Sequence, residues 1–171
     1  MNVKRVWAAF FSATGTTEKV VTRIAEAIAD GLGAEYRIYD FTLPSAREGT
    51  PTFSANDLVV FGTPVYAARV PNVLVKHIES IKGNGALAVP IVVFGNRNYD
   101  DALIELRDLL ETDGFHTIAA GAFVGEHSFS YVLGAGRPDE SDMVVADRFA
   151  KQVVEKVRTT GDLREPGPIL S

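Results

Sequence analysis

Four hydroxyl side chains occur within six consecutive residues near the start of the chain, in the segment Ser12-Ala13-Thr14-Gly15-Thr16-Thr17. A short apolar run precedes this segment, and a helical pattern follows it. Hydroxyls and backbone N–H groups at a helix N-terminus bind anions well, because the helix dipole already favours negative charge there. Gly15 allows the backbone to approach a ligand closely and to take a positive φ. The segment therefore predicts a site for a phosphate monoester, and such a site needs no lysine.

The alternative interpretation is that one of these hydroxyls caps the following helix and binds no ligand. A cap needs one hydroxyl, whereas this segment offers four. The segment lacks the G-x-x-x-x-G-K-[ST] pattern of magnesium-dependent nucleotide-binding loops. A G-x-G-x-x-G lookalike occurs at residues 83–88, but it precedes a predicted strand and is interpreted as a turn.

Five short apolar runs alternate with helical patterns along the chain. Strands are predicted at residues 3–11, 34–41, 57–63, 87–95 and 115–124, and helices at 16–30, 71–81, 100–112 and 141–157. Gly31 and Gly33 are expected to end the first helix, and Ser141 with Asp142 to cap the last. Apolar strands without alternation are typical of parallel sheets covered by helices on both faces. The pattern predicts a three-layer, doubly wound α/β fold, whose ligands bind at the carboxyl ends of the strands.

The composition restricts the possible functions. The 171 residues fit one domain at residues 1–160 with a C-terminal tail at 161–171. A net charge of −5 argues against nucleic acid or an anionic membrane as the main partner. The absence of cysteine excludes disulfides, iron–sulfur clusters and thiolate zinc sites, and the three histidines lie too far apart in sequence to suggest a metal site. The apolar run at 6–11 is too short for a signal peptide core or a membrane span, so a cytoplasmic location is expected.

Three motifs resemble those of one protein family. The pattern Ser12-x-Thr14-Gly15-x-Thr17 resembles the FMN-phosphate signature of flavodoxins. The segment 62–71, Gly-Thr-Pro-Val-Tyr-Ala-Ala-Arg-Val-Pro, is similar to the loop after the third strand in flavodoxin domains, especially those that bacteria fuse to a ferredoxin. The segment 95–103 resembles the loop after the fourth strand in that group, although we expect no ferredoxin part because the sequence has no cysteine. The resemblance implies a flavodoxin-like, five-stranded parallel sheet of strand order 2-1-3-4-5 that binds FMN non-covalently.

The resemblance also implies which residues would hold the cofactor. Tyr66 and Tyr99 can stack on a flat ring, and the nearby backbone can pair with its pyrimidine edge. Arg69 and Arg97 would lie near the ring or remain solvated surface residues. The phosphate would be bound by Ser12, Ala13, Thr14, Gly15, Thr16 and Thr17, and the ring would be flanked by Thr63, Pro64, Val65, Tyr66, Ala67, Ala68, Arg69, Gly95, Asn96, Arg97, Asn98 and Tyr99.

Two loops each allow more than one interpretation. Ala67 and Ala68 stand where flavodoxins often have a glycine, and a positive φ costs alanine roughly 1 kcal/mol more than glycine. Residues 125–140 follow the fifth strand as an extra loop that could cover the ring or shape the approach of a partner. His127 in this loop could donate a proton near the ring or be an ordinary polar loop residue.

The expected function is electron transfer to redox partner proteins, with no catalytic side chain and no metal. One alternative is an FMN-dependent reductase that uses NAD(P)H or a quinone. Another is a flavin-free interaction module on the same fold. A phosphorelay receiver domain is excluded, because the chain lacks the acidic pair after the first strand and has Phe11-Ser12 there.

Overall fold

The computed structural model describes residues 2–95, 97–128, 130, 132–161 and 163–164. The strands are β1 (Arg5–Phe10), β2 (Glu35–Asp40), β3 (Asp57–Pro64), β4 (Leu87–Phe94), β5 (His116–Thr117) and β6 (Gly121–Val124). The α-helices are α1 (Thr16–Leu32), α2 (Asn72–Ile78), α3 (Ala102–Thr112) and α4 (Glu140–Thr159). A short 3₁₀ turn at Pro44–Arg47 interrupts the loop between β2 and β3.

The strands form one parallel sheet in the order β2-β1-β3-β4, and β5 and β6 share the fifth position beside β4. The predicted strand order 2-1-3-4-5 is therefore confirmed. One face of the sheet packs against α1 and α4, including Ile24 and Val153. The other face packs against α2 and α3, including Leu74 and Leu106. These two apolar layers make the predicted doubly wound, three-layer α/β architecture.

The fifth strand differs from its prediction, because it is split rather than continuous over residues 115–124. His116 pairs with Leu87, whereas Gly121 pairs with Ile91, so residues 118–120 contain one more residue than the opposite stretch of β4. That stretch contains Pro90, which has no N–H to donate to a neighbouring strand. An extra residue in one strand bends it and interrupts the ladder. The carbonyl of Ile118 accepts a hydrogen bond from the Nζ of Lys156 at 2.7 Å, which satisfies the backbone at the break.

Several helix bounds differ from the sequence prediction: α2 ends at Ile78 rather than at residue 81, α3 begins at Ala102 rather than at residue 100, and the ends of α1 and α4 are formed by other residues than expected. Gly31 lies inside α1, where a Cβ would stand 2.7 Å from Cγ2 of Val154, so this glycine permits close packing of α1 on α4. Gly33 alone ends the helix, with φ at 64°. The cap of α4 is Asp139 rather than Ser141. Asp139 and Asp142 form a reciprocal capping box, in which each side chain accepts from the backbone N–H of the other.

Part of the predicted tail packs against the domain. Leu163 is buried in the layer that contains α4, and Arg164 donates from Nη2 to the carbonyl of Ala55 at 2.7 Å. The remainder of the tail beyond residue 164 lies outside the described residues. Where the chain is described, none of the helices has both the length and the apolar character that a membrane span requires.

Stability is expected to decrease as the pH falls below about 6.5, the ordinary pKa of histidine, because of His77. This side chain is buried on α2, and its Nε2 lies 2.9 Å from the hydroxyl of Tyr39. Burial and the positive charge of Arg47 lower the pKa of His77. The unfolded chain then takes up a proton at a higher pH than the folded chain does, so acid favours unfolding.

The size of this effect is bounded by one proton, about 1.4 kcal/mol per pH unit at most. Urea unfolding of the wild type and of His77→Gln between pH 5 and pH 8 measures it. The wild type should lose more unfolding free energy than the variant on acidification. Equal losses would mean that His77 does not contribute.

Candidate functional site

A cleft of about 980 Å³ opens at the carboxyl ends of the strands. Ligand sites for molecules of cofactor size enclose about 300–1,000 Å³, so the cleft has a suitable volume. Its walls come from the segment after β1, the turn after β3, the segment after β4 and the loop after β6. In a doubly wound sheet, the strand order by itself predicts that these loops form the ligand-binding site.

The hydroxyl-rich segment begins α1 and forms one end of the cleft. Gly15 has φ at 85°, as its position predicted, and turns the chain into the helix. The hydroxyls of Thr14 and Thr16 lie 3.4 Å apart, and Thr14, Thr16 and Thr17 all line the cleft. Ser12 is different, because its hydroxyl accepts from the backbone N–H of Glu18 at 3.0 Å. Ser12 therefore has the capping role that the sequence left open, while the threonines face the cleft.

Several backbone N–H groups at this helix N-terminus could donate hydrogen bonds to a ligand. Among the residues that the structure describes, no hydrogen bond is formed by the N–H groups of Thr14, Gly15, Thr16 or Thr17. Helix N-termini leave such donors for caps, water or ligands. These amides lie beside three threonines at the positive end of a helix dipole, an arrangement that matches a phosphate monoester.

The segment after β3 forms a tight turn along the cleft. The backbone N–H of Tyr66 donates to the carbonyl of Arg69 at 3.0 Å, and the N–H of Arg69 donates back to the carbonyl of Tyr66 at 3.1 Å. Ala67 and Ala68 between them have φ of 49° and 66°. Two central residues with positive φ define a type I′ turn, which normally takes asparagine or glycine. Each alanine costs about 1–2 kcal/mol of backbone strain in this region, and both line the cleft.

Arg69 extends away from the cleft. Its Nε and Nη2 donate to the two carboxylate oxygens of Glu105 at 2.9 and 2.7 Å. This guanidinium, together with a hydrogen bond from the N–H of Val70, lowers the pKa of Glu105. The pair borders a separate groove of about 510 Å³ along α3 on the outer surface.

The segment after β4 lies against the loop after β6. A Cβ on Gly95 would lie 2.9 Å from Cα of His127 and 2.6 Å from its ring, so only glycine fits at this contact. Arg97 and Asn98 are exposed residues that line the cleft. Tyr99 packs on Phe94 with ring centroids 5.3 Å apart and does not line it. Asn96 lies outside the described residues.

The loop after β6 has a structure of its own. The N–H of Glu126 donates to the carbonyl of Arg137 at 2.8 Å, and the N–H of His127 donates to the carbonyl of Leu133 at 3.0 Å. Lys19 on α1 anchors its far end by donating to the carbonyl of Pro138 at 2.6 Å. The loop thus holds a fixed stretch, residues 125–128, against the cleft.

The structure brings together most of the residues that the sequence singled out. Thr63, Ser12, Gly15, Arg69 and Tyr99 do not line the cleft, and Thr63 is fully buried in β3. The predicted residues that do line it are Ala13, Thr14, Thr16, Thr17, Pro64, Val65, Tyr66, Ala67, Ala68, Gly95, Arg97 and Asn98. The lining residues absent from the predicted set are Val93, Phe94, Asp100, Gly125, Glu126, His127 and Ser128.

Three of the missed residues share a signal in the sequence. Val93 and Phe94 end β4, and Gly125 follows the end of β6, so each lies at the carboxyl end of a strand in the predicted sheet. That position alone predicts them as lining residues of the cleft. Within the described part of the chain, no group of three or more histidine, cysteine or acidic side chains is arranged to hold a metal ion.

Comparisons with known proteins agree with this architecture. No protein-family model and no curated protein matches the sequence. Among solved structures, the chain is similar to a Streptococcus pneumoniae flavodoxin (TM-score 0.61, 16% identity, 89% of this chain and 99% of that one). It is also similar to oxidised flavodoxin 1 from Bacillus cereus (TM-score 0.59, 17% identity, 92% and 100%).

A third similar structure has a different activity. It is the apo form of an NADH:FMN oxidoreductase, EMOB (TM-score 0.63, 16% identity, 96% of this chain and 97% of that one). Likeness at such low identity is evidence of the fold alone. The chain therefore has a flavodoxin-like α/β fold, and this fold occurs in both flavodoxins and FMN reductases.

Proposed function

We propose that this protein binds FMN non-covalently in the cleft and transfers electrons to redox partner proteins. The observation that carries the proposal is the N-terminus of α1, where Thr14 and Thr16 line one end of the cleft and the N–H groups of residues 14–17 form no hydrogen bond within the described part of the chain. A site of this kind suits a phosphate monoester, and the remaining volume suits a flat ring system. The motif resemblance to flavodoxin domains, including those fused to ferredoxins, supports the same cofactor.

The residues of the cleft have distinct tasks in this proposal. Thr14, Thr16 and Thr17 would hold the phosphate, and the 64–68 turn together with residues 93–95, 97 and 98 would flank the ring. FMN supplies one- and two-electron chemistry when bound, and the protein orients it and adjusts its potential. Asp100 and Glu126 are acidic residues that line the cleft, so they would disfavour added negative charge on a bound ring and lower its reduction potential.

An FMN-dependent reductase is the second candidate. The loop after β6 brings His127 and Ser128 to the cleft, so a second substrate has polar groups to contact beside the ring site. The likeness to an NADH:FMN oxidoreductase over nearly the whole chain is compatible with this role. In this reading NAD(P)H would deliver a hydride to the flavin, and a quinone or another acceptor would remove the electrons.

A visible spectrum of the purified protein with one equivalent of FMN tests the proposal. We expect a bound-flavin spectrum with altered band structure and fluorescence, and reversible bleaching on reductive titration. Protein that remains colourless after gel filtration with FMN would instead indicate a flavin-free interaction module. Turnover with NADPH and a quinone separates the two flavin functions, because a carrier alone should show almost none.

A further inference from the structure

The type I′ turn beside the cleft needs support from outside itself. Ala67 and Ala68 both have positive φ, a conformation that alanine rarely adopts. Strained backbone of this kind persists only where the surrounding structure holds it. The two backbone hydrogen bonds between Tyr66 and Arg69 close the turn, and the N–H of Val65 attaches its beginning to the sheet by donating to the carbonyl of Val93 at 3.1 Å, but none of these bonds holds its end at Val70.

Glu105 attaches the end of the turn to α3. Its carboxylate accepts two hydrogen bonds from Arg69, and Oε2 also accepts one from the backbone N–H of Val70 at 2.9 Å. The side chain of Glu105 is 19% exposed, while that of Arg69 is 59% exposed. Glu105 belongs to the first turn of α3, whose neighbouring residue Leu106 is fully buried. Three hydrogen bonds therefore tie the end of the turn to a helix fixed on the sheet.

We propose that Glu105 is a positioning residue, which holds the strained Ala67–Ala68 turn in its place along the cleft. Its effect on FMN rests on the function proposed above, whereas its effect on the turn does not. Without Glu105 the turn adopts relaxed conformations part of the time, and in those conformations it no longer forms one wall of the cleft. A ligand that binds only to the ordered turn then has a higher apparent dissociation constant. This constant equals the intrinsic one divided by the fraction of molecules in which the turn is ordered.

The contact with Val70 gives a direct measurement in the FMN-free protein. Hydrogen exchange of the Val70 amide, followed by NMR, should accelerate at least about tenfold in Glu105→Ala, because the amide loses its acceptor and the turn opens more often. Glu105→Gln should stay within about threefold of the wild type, since its side-chain carbonyl can still accept from Val70. Asp108→Ala is the matched control, because Asp108 lies one turn further along α3 and pairs with Arg107 rather than with the turn.

The FMN affinity should follow the same order. We expect the dissociation constant to rise about tenfold in Glu105→Ala, a change of about 1.4 kcal/mol, to recover largely in Glu105→Gln, and to stay at the wild-type value in Asp108→Ala. An unchanged Val70 exchange rate in Glu105→Ala would overturn the positioning role, and so would equal losses of affinity in Glu105→Ala and Asp108→Ala. Wild-type protein that fails to bind FMN would overturn the proposed function, and the exchange data alone would then decide the role of Glu105.

Discussion

The double substitution Thr14→Ala/Thr17→Ala is expected to weaken FMN binding at least about tenfold. Each charge-assisted hydrogen bond to a phosphate is worth about 1.5–3 kcal/mol, so the loss of one such bond already gives this factor. Both side chains line the cleft at the N-terminus of α1, and Thr17 is almost completely buried there. Fluorescence titration of the FMN-free protein with FMN measures the change.

Two comparisons show whether the loss belongs to the phosphate. Riboflavin has the same ring but no phosphate, so its affinity should differ little between the wild type and the double variant. Thr22→Ala is the control substitution, because Thr22 lies further along α1 and its hydroxyl donates to the carbonyl of Glu18. If the double variant bound FMN as tightly as the wild type, the assignment of this segment to phosphate would be wrong.

Gly62→Ala is expected to lower the free energy of unfolding by about 1–3 kcal/mol, the usual cost of overpacking a core. A Cβ at this position of β3 would stand 2.2 Å from Cγ2 of Val21 and 3.2 Å from Cγ2 of Thr17. Valine is stiff at χ1 and Val21 is fully buried, so the strain must displace α1 from the sheet. For a domain of this size the loss corresponds to a fall in Tm of roughly 2–12 °C.

The same steric overlap predicts that replacing Val21 restores part of the lost stability, and that Gly62→Ala weakens FMN binding. Val21→Ala removes the opposing methyl group, so the cost of Gly62→Ala should be smaller in that background, as a double-mutant cycle can measure. Because Thr17 contacts the same position, Gly62→Ala should also weaken FMN binding.

Gly49→Ala is the control, since a Cβ there meets nothing within 4 Å, and it should change stability by less than about 0.5 kcal/mol. Equal effects of the two glycine substitutions would contradict the packing argument.

The architecture could be predicted because its signals are local. Continuous apolar runs such as residues 58–61 indicate strands buried on both faces, and helical spacing between them requires crossovers. The helix after Gly15 begins at Thr16, as predicted. The split of the fifth strand was not predicted, although Pro90 in the neighbouring strand carries the signal for it.

The candidate site was predictable to the extent that it lies at strand ends. Thr14, Thr16, Tyr66 and Gly95 line the cleft because each follows a strand closely. Arg69 could not be assigned in this way, because its direction depends on Glu105, which is 36 residues away in sequence. The sequence predicted that the 125–140 loop could cover the ring, but the way in which residues 125–128 are held against the cleft depends on backbone hydrogen bonds within the folded loop.

The sequence by itself determined the order of elements, the parallel sheet and the hydroxyl-rich segment that begins α1, because periodicity and residue type act over a few neighbouring positions. Only the tertiary structure decided that Ala67 and Ala68 adopt positive φ against their own preference. It also decided that Ser12 caps the helix while Thr14 and Thr16 face the cleft. The first outcome depends on Glu105, which is 36 residues away from Arg69 in sequence, because such contacts can outweigh local preferences by a few kcal/mol. The second depends on how the end of β1 places the segment at the cleft, because the local pattern offers four hydroxyls and does not choose among them.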